Sequence, residues 1–270
     1  MTQLTSLFPT DFDRTTALLE VEGRPGEFAV ELDGGWSSLV GVHGGYMSAL
    51  AVRAAESLAP DRVVRTTSTS FLRAGHVGHA ALTVREVRRG GSMTTMVAEL
   101  AQDDQLLHVT RLTLMTERSG VEWGEPRPAD LPPPADCVPF SPPAHVVNFG
   151  RFELRFDPDR PPFSGPRAEI AGYVRPLEPR PVDAAWLVMA SDCFPPPAFA
   201  RTERPIGGMS IDMTVHVHRC GFLLPDDDWL VGRFEIADSV NGLAVEHGRI
   251  TRTDGSVVAE SFQTRLTTGR

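Results

Sequence analysis

Gly44 and Gly45 stand directly before a run, Tyr46 to Ala55, that is apolar or small everywhere except Ser48 and Arg53. A helix that begins there leaves its first N–H groups without intrahelical partners. Such a start attracts an anion or a polarised carbonyl oxygen. Other residues able to do chemistry are scattered. Asp212, His216 and His218 alternate along one candidate strand, a pattern that suits a solvated or inter-unit strand face better than a metal site. Cys193 follows Asp192 but has no histidine base near it in sequence, which fits buried packing. Asp192 itself precedes Pro195-Pro196-Pro197 and would serve as a cap for that turn.

The elements that must position these groups occur in a repeated order. The helix pattern over 45–57 is apolar around most of its circumference, as in helices wrapped on several sides. Ala49, Ala51, Ala54 and Ala55 are small enough for a sheet to close around it. Before it, residues 28–32 read as a strand and 11–20 as a short helix. After it come four strands, 63–73, 80–88, 93–101 and 106–116, separated by Ala74-Gly75, Gly90-Gly91 and Asp103-Asp104. The stretch 124–143 is dense in proline and reads as a linker crossing a surface. Strands follow at 148–156 and 168–175, around a loop at 158–166. A second helix is expected over 181–194, then strands at 209–219, 229–238, 243–253 and 257–266.

The halves overlay. Phe71-Leu72-Arg73-Ala74-Gly75 answers Val217-His218-Arg219-Cys220-Gly221, and the turn Asp103-Asp104 answers Asp254-Gly255. Residues 112–116 fall against 262–266. This is a duplicated α+β unit, and two copies form a pseudo-dimer. Strands 66–73 and 210–218 would each leave an open edge, so they are expected to pair and join both halves in one antiparallel sheet.

Composition narrows the function. The chain has 270 residues, 41% hydrophobic and 23% charged, as in a globular protein with a core. Its formal net charge of -9 argues against nucleic acid as a main partner. Cys137, Cys193 and Cys220 have neither metal-ligand spacing nor the even number of a disulfide framework, and a reducing cytoplasm fits them. The first fourteen residues lack a basic region followed by an apolar core, and no run approaches the ~20 apolar residues of a membrane span.

A sheet wrapped around one helix, twice in a chain, resembles the double hotdog fold of the acyl-CoA thioesterase II family across nearly the whole sequence. That resemblance implies units at 1–123 and 148–270, with 124–147 between them. Val42-His43-Gly44-Gly45 is similar to the helix start of single-unit hotdog thioesterases of the phenylacetyl-CoA type, where an acid follows about two turns into the helix. Val52 stands at that position here, and its counterpart on the second helix is Asp192. Ala190-Ser191-Asp192, Ser210-Ile211-Asp212 with His218-Arg219, and Gln263 resemble the thioesterase II pattern of aspartate, hydroxyl and glutamine. The hydroxyl residue is usually threonine there and is serine here, a residue whose rotamer is less restricted.

The resemblance implies a composite site. Asp192 would activate water, Ser210 and Gln263 would hold that water, and the N–H groups near Gly44 and Gly45 would meet the oxyanion. Direct attack by Asp192 through a mixed anhydride is the alternative route. No cofactor or metal is implied. The expected partner is acyl-CoA, in a cytoplasmic homo-oligomer with no nucleic acid and no membrane. Rival readings are a non-catalytic acyl-CoA or acyl-carrier binding protein, and a hotdog hydratase. A hydratase pairs aspartate with histidine, and no histidine follows Asp192 at short range.

Overall fold

The computed structural model describes residues 9–201 and 208–267. The leader reading above falls partly on residues 1–8, which lie outside them.

The first half runs α1 (Asp11–Thr15), β1 (Leu19–Glu20), β2 (Glu27–Leu32), α2 (Gly44–Leu58), β3 (Val63–Phe71), β4 (Gly78–Arg89), β5 (Met93–Gln102) and β6 (Gln105–Met115). Residues 116–137 contain neither helix nor strand, in line with their proline content. The second half runs β7 (Val138–Pro139), β8 (Phe152–Phe156), β9 (Glu169–Pro176), β10 (Pro181–Val182), α3 (Ala184–Ala190), β11 (Met209–Val217), β12 (Phe222–Leu223), β13 (Leu230–Val240), β14 (Leu243–Arg252) and β15 (Val257–Leu266).

Among the described residues, thirteen strands form one sheet in the order β1-β2-β4-β5-β6-β3-β11-β15-β14-β13-β9-β8-β7. The halves join at β3 and β11, which pair antiparallel from Thr66↔His216 to Ser70↔Asp212, inside the range expected from the sequence. Each strand edge that would otherwise stand open at the centre is thereby closed. Helices α2 and α3 pack against each other and against this sheet. Their residues and the inward strand residues share one apolar cluster, including Leu50, Val52, Trp186, Val188, Met213 and Val215.

Three expectations need correction. The second helix is shorter than 181–194. Pro181 and Val182 pair with β12 instead, and Asp183 caps the helix by accepting from the Trp186 N–H. A proline contributes no N–H to a helix ladder, whereas a short edge strand tolerates it. Asp192 consequently lies in the turn after α3, not on the helix. At 148–156 the chain first makes a 3₁₀ turn, Val147–Arg151, before β8. At 11–20 the helix stops at Thr15, and Leu19–Glu20 pairs with β2.

The ladders also fix how the halves correspond. A register shift lies between Val64 and Thr66 on β3, and a matching one between Ser210 and Asp212 on β11. A second matched pair lies at Leu100/Ala101 and Ile250/Thr251. Val64 pairs with Leu114, as Ser210 pairs with Arg265. Met96 pairs with Leu112, as Glu246 pairs with Gln263. Leu112 therefore answers Gln263, not Phe262, one residue away from the frame read in the sequence. A one-residue slip moves every side chain to the other face of a sheet.

Candidate active site

Asp192 is placed by the end of α3. The Ser191 N–H donates to Leu187 O, the Asp192 N–H to Met189 O and the Cys193 N–H to Ala190 O, so the last turn tightens and closes. The turn meets the start of α2. There His43 caps the helix, its Nδ1 accepting from the Tyr46 N–H at 3.2 Å. With that nitrogen acting as acceptor, Nε2 carries the proton and donates to the Asp192 carbonyl at 2.9 Å. His43 thus ties the two helix ends together.

Gly45 is required at this junction. A Cβ there would sit 2.8 Å from Asp192 Cβ and 2.9 Å from Met189 O, closer than side chains tolerate. The Gly45 N–H donates to Asp192 Oδ2 at 2.9 Å. The sequence left that N–H free for a ligand, but the aspartate takes it, because a carboxylate at a helix N-terminus meets both an orphan donor and the positive end of the dipole. At Gly44 a Cβ would lie 3.0 Å from the Phe71 ring and 3.3 Å from Asp192 Oδ2.

The sheet brings the remaining groups. Gln263 Nε2 donates to Asp192 Oδ1 at 2.9 Å and also to Ser210 Oγ. Ser210 faces inward because of the β11 irregularity. Met213, Val215 and Val217 are buried on the inner face, and strict alternation would send Ser210 outward with Asp212. A bulge re-aims a side chain in this way. All three predicted residues, from three separate stretches, therefore meet at the start of α2.

Two further residues belong to the cluster and were not singled out in the sequence. Arg265 donates from Nη2 to Gln263 Oε1 at 2.8 Å and to Asp192 Oδ1 at 3.4 Å, and from Nη1 to Ser210 Oγ at 3.3 Å and Gly208 O at 3.1 Å. Glu246 grips Arg265 through Nε–Oε2 at 2.7 Å and Nη2–Oε1 at 3.2 Å. Both are buried, at 4% and 2% exposure. The signal for them was phase: Glu246 alternates with Ala244 and Ile250, and Arg265 with Ala259, all on the inner face.

Electrostatically the cluster is a carboxylate site. The Asp192 side chain is 9% exposed. Burial pushes its carboxyl up, but His43 and Arg265, with the Gln263 and Gly45 hydrogen bonds, outweigh this and hold it below the ordinary aspartate value. Burial disfavours the Arg265 charge, yet Glu246 and Asp192 hold its guanidinium above the ordinary arginine value. The arrangement can keep an ionised carboxylate beside a hydroxyl and an amide.

Other candidates lie elsewhere. Asp212 accepts from Thr264, His216 faces Thr66, and His218 lies 3.3 Å from Glu260 on the strand surface. Among the described residues, His, Cys, Asp and Glu make no group suited to a metal ion. Cys193 is buried with its thiol pushed well up by desolvation, first, and by Asp192.

Comparisons with known proteins agree with this architecture. The family model described as the acyl-CoA thioesterase C-terminal domain matches residues 128–267, and the one described as the N-terminal domain matches residues 32–116. No curated protein sequence matches the chain. Among solved structures, a hot dog fold protein of unknown function from Alicyclobacillus acidocaldarius superposes with TM-score 0.85 at 22% identity, over 96% of this chain and 98% of that one. A thioesterase II candidate from Thermobifida fusca YX gives TM-score 0.83 at 24% identity, over 97% and 98%. The acyl-CoA thioesterase II TesB2 from Mycobacterium marinum gives 0.77 at 22%, over 96% and 98%. At these identities the likeness establishes the hotdog fold.

Proposed function

This chain belongs to the acyl-CoA thioesterase family, and on that premise we propose that it hydrolyses an acyl-CoA thioester to a carboxylic acid and free CoA with water activated by Asp192. The observation that carries the reading is the Asp192 carboxylate held against Gln263 Nε2 and the Gly45 N–H, with Ser210 on the same amide.

In this reading a water between Asp192 and Ser210 gives a proton to the carboxylate as its oxygen attacks the thioester carbon. Gln263 and Ser210 hold the water, and the Gly44 N–H faces the developing oxyanion, since the Gly45 N–H serves Asp192. Collapse breaks the C–S bond and returns the proton to the leaving thiolate. Asp192 with its carboxyl held low is ionised at neutral pH, as a base must be. We read 1–123 and 148–270 as tandem hotdog units joined by 124–147, a double hotdog with one composite site. We place the protein in the cytoplasm as a homo-oligomer, which light scattering at micromolar concentration tests: a monomer contradicts the assembly.

One observation favours a second reading, a non-catalytic acyl-CoA or acyl-carrier binding protein. The carboxylate is only 9% exposed and already surrounded by protein donors. Thiol release from CoA thioesters of graded chain length separates the two. Hydrolysis by the wild type, with kcat lowered roughly 10²–10⁴-fold in Asp192→Asn and KM little changed, supports the first. Binding without hydrolysis supports the second. Full activity in Asp192→Asn makes the aspartate structural.

A further inference from the structure

We propose that Arg265, gripped by Glu246, is a positioning residue that sets the polarity of the site: it fixes which way the Gln263 amide faces and leaves the Ser210 hydroxyl proton free for a ligand. The role in turnover rests on the thioesterase reading; the positioning itself does not.

An arginine side chain only donates, and an ionised carboxylate only accepts. Gln263 lies between one of each. Its Oε1 takes the Arg265 Nη2 bond at 2.8 Å and its Nε2 gives the Asp192 Oδ1 bond at 2.9 Å. The flipped amide would set an oxygen against a carboxylate and an NH₂ against a guanidinium, two repulsive contacts in place of two bonds. Ser210 Oγ then receives from both Gln263 Nε2 and Arg265 Nη1. Both lone pairs are engaged, so its single proton points to an acceptor that none of the described residues supplies. A water oxygen or a thioester carbonyl oxygen is such an acceptor.

Glu246 sets where the fork lies. Its two-point grip on Nε and Nη2 leaves Nη1 for Ser210 and directs Nη2 at Gln263 and Asp192 as well. A lysine ammonium lacks that planar fork and cannot make these contacts together. Folding alone gives no reason for the pair. The corresponding positions of the first half are Leu114 for Arg265 and Met96 for Glu246, at 0% and 1% exposure. A buried ion pair replaced by apolar residues of similar volume is often neutral or stabilising.

The test is the double variant Glu246→Met/Arg265→Leu, which writes the first-half residues into the second half, beside Arg265→Lys. Each is measured with no substrate, by ¹³C titration of the Asp192 carboxyl and by the Gln263 side-chain NH₂ resonances, and then by thiol release. We expect the double variant to keep the wild-type Tm or exceed it, to titrate Asp192 at higher pH by about half a unit or more, and to lose about 10²-fold in kcat. Arg265→Lys is expected to keep the Asp192 midpoint near wild type but to lose the Gln263 NH₂ protection and at least about tenfold in kcat. An unchanged midpoint with unchanged NH₂ resonances in a folded double variant overturns the proposal. Should the double variant not fold, Arg265→Lys decides: wild-type NH₂ protection overturns the proposal and its loss supports it. A wild type that releases no thiol defeats the thioesterase reading, while the two NMR readouts still decide the positioning.

Discussion

The two halves of this chain pass the same positions through the same ladder registers and fill them with opposite chemistry. Where the second half places Ser210, Gln263, Arg265 and Glu246, the first places Val64, Leu112, Leu114 and Met96 in the same registers, and Val52 stands as far beyond the α2 cap as Asp192 beyond the α3 cap; all five first-half residues are buried and apolar. The first set packs with no polar atom to satisfy. The second carries two carboxylates, a guanidinium, an amide and a hydroxyl, and every one of them is hydrogen-bonded within the cluster. Because one fold accommodates both sets, the polar set is not a requirement of the fold. The helix ends divide in a complementary way. The start of α2 has the glycines and faces Asp192, whereas the start of α3 is capped by Asp183, which pairs with Arg53 at 3.0 Å and Arg180 at 2.7 Å. The first half does hold a buried polar strip, Ser48, Thr69, Thr110 and His108. Desolvation lowers His108 to about 4, so at neutral pH the strip is uncharged.

Substitutions that exchange the two sets sharpen this comparison. The largest effect is expected from Asp192→Asn, roughly 10²–10⁴-fold in kcat with the shape preserved, read by thiol release. Next is Gln263→Leu, which writes in the first-half residue. It removes the donor that joins Asp192 to Ser210 and the acceptor that Arg265 Nη2 meets at 2.8 Å, and is expected to lower kcat about 10²-fold. Gly45→Val forces its Cβ into Asp192 and the Met189 carbonyl. We expect about 1–3 kcal/mol of lost stability by chemical denaturation together with a fall in kcat/KM.

The reverse exchange, Leu112→Gln, buries an amide among Met96, Leu114 and the buried hydroxyl of Thr67, its partner on β3. Stability should fall by about 1–3 kcal/mol while kcat/KM holds, and a loss of turnover there would break the division between the halves. The smallest effect is that of pH. Asp192 is lowered below 3.8 in the folded chain. Its contribution to stability is therefore complete above the unfolded value and is lost only as pH falls through the folded one. The same midpoint sets the acid limb of kcat/KM, so activity should persist through the ordinary aspartate range. A limb above pH 4 would contradict the hydrogen-bond pattern around the carboxylate.

Much of this was legible in the sequence because it rests on local periodicity. The apolar helix at 45–57, the strands and the β3–β11 junction follow from alternation, glycine turns and unsatisfied edges. Asp192, Ser210 and Gln263 were reached through family resemblance, since none of them is distinguished by its own neighbours. What the sequence hid lies on β15. There Ala259, Ser261, Gln263 and Arg265 point inward, while Phe262 is 46% exposed. A hydrophobicity rule sends Phe262 to the core and Arg265 to solvent, which inverts the strand and accounts for the one-residue slip in aligning the halves. Ser210 was hidden in the same way, because a bulge and not alternation turns it inward. The late start of α3 was hidden because Pro181 and Val182 answer to a distant strand partner, Phe222–Leu223.

The central claim is that each chain holds one site, at the junction of the α2 start with the α3 end, and none at the apolar counterpart. Equilibrium titration of the protein with a non-hydrolysable acyl-CoA thioether tests this most directly. We expect one analogue bound per chain, retained in Asp192→Asn and weakened in Gly45→Val. Two analogues per chain, or one whose binding is indifferent to Gly45→Val, would contradict it.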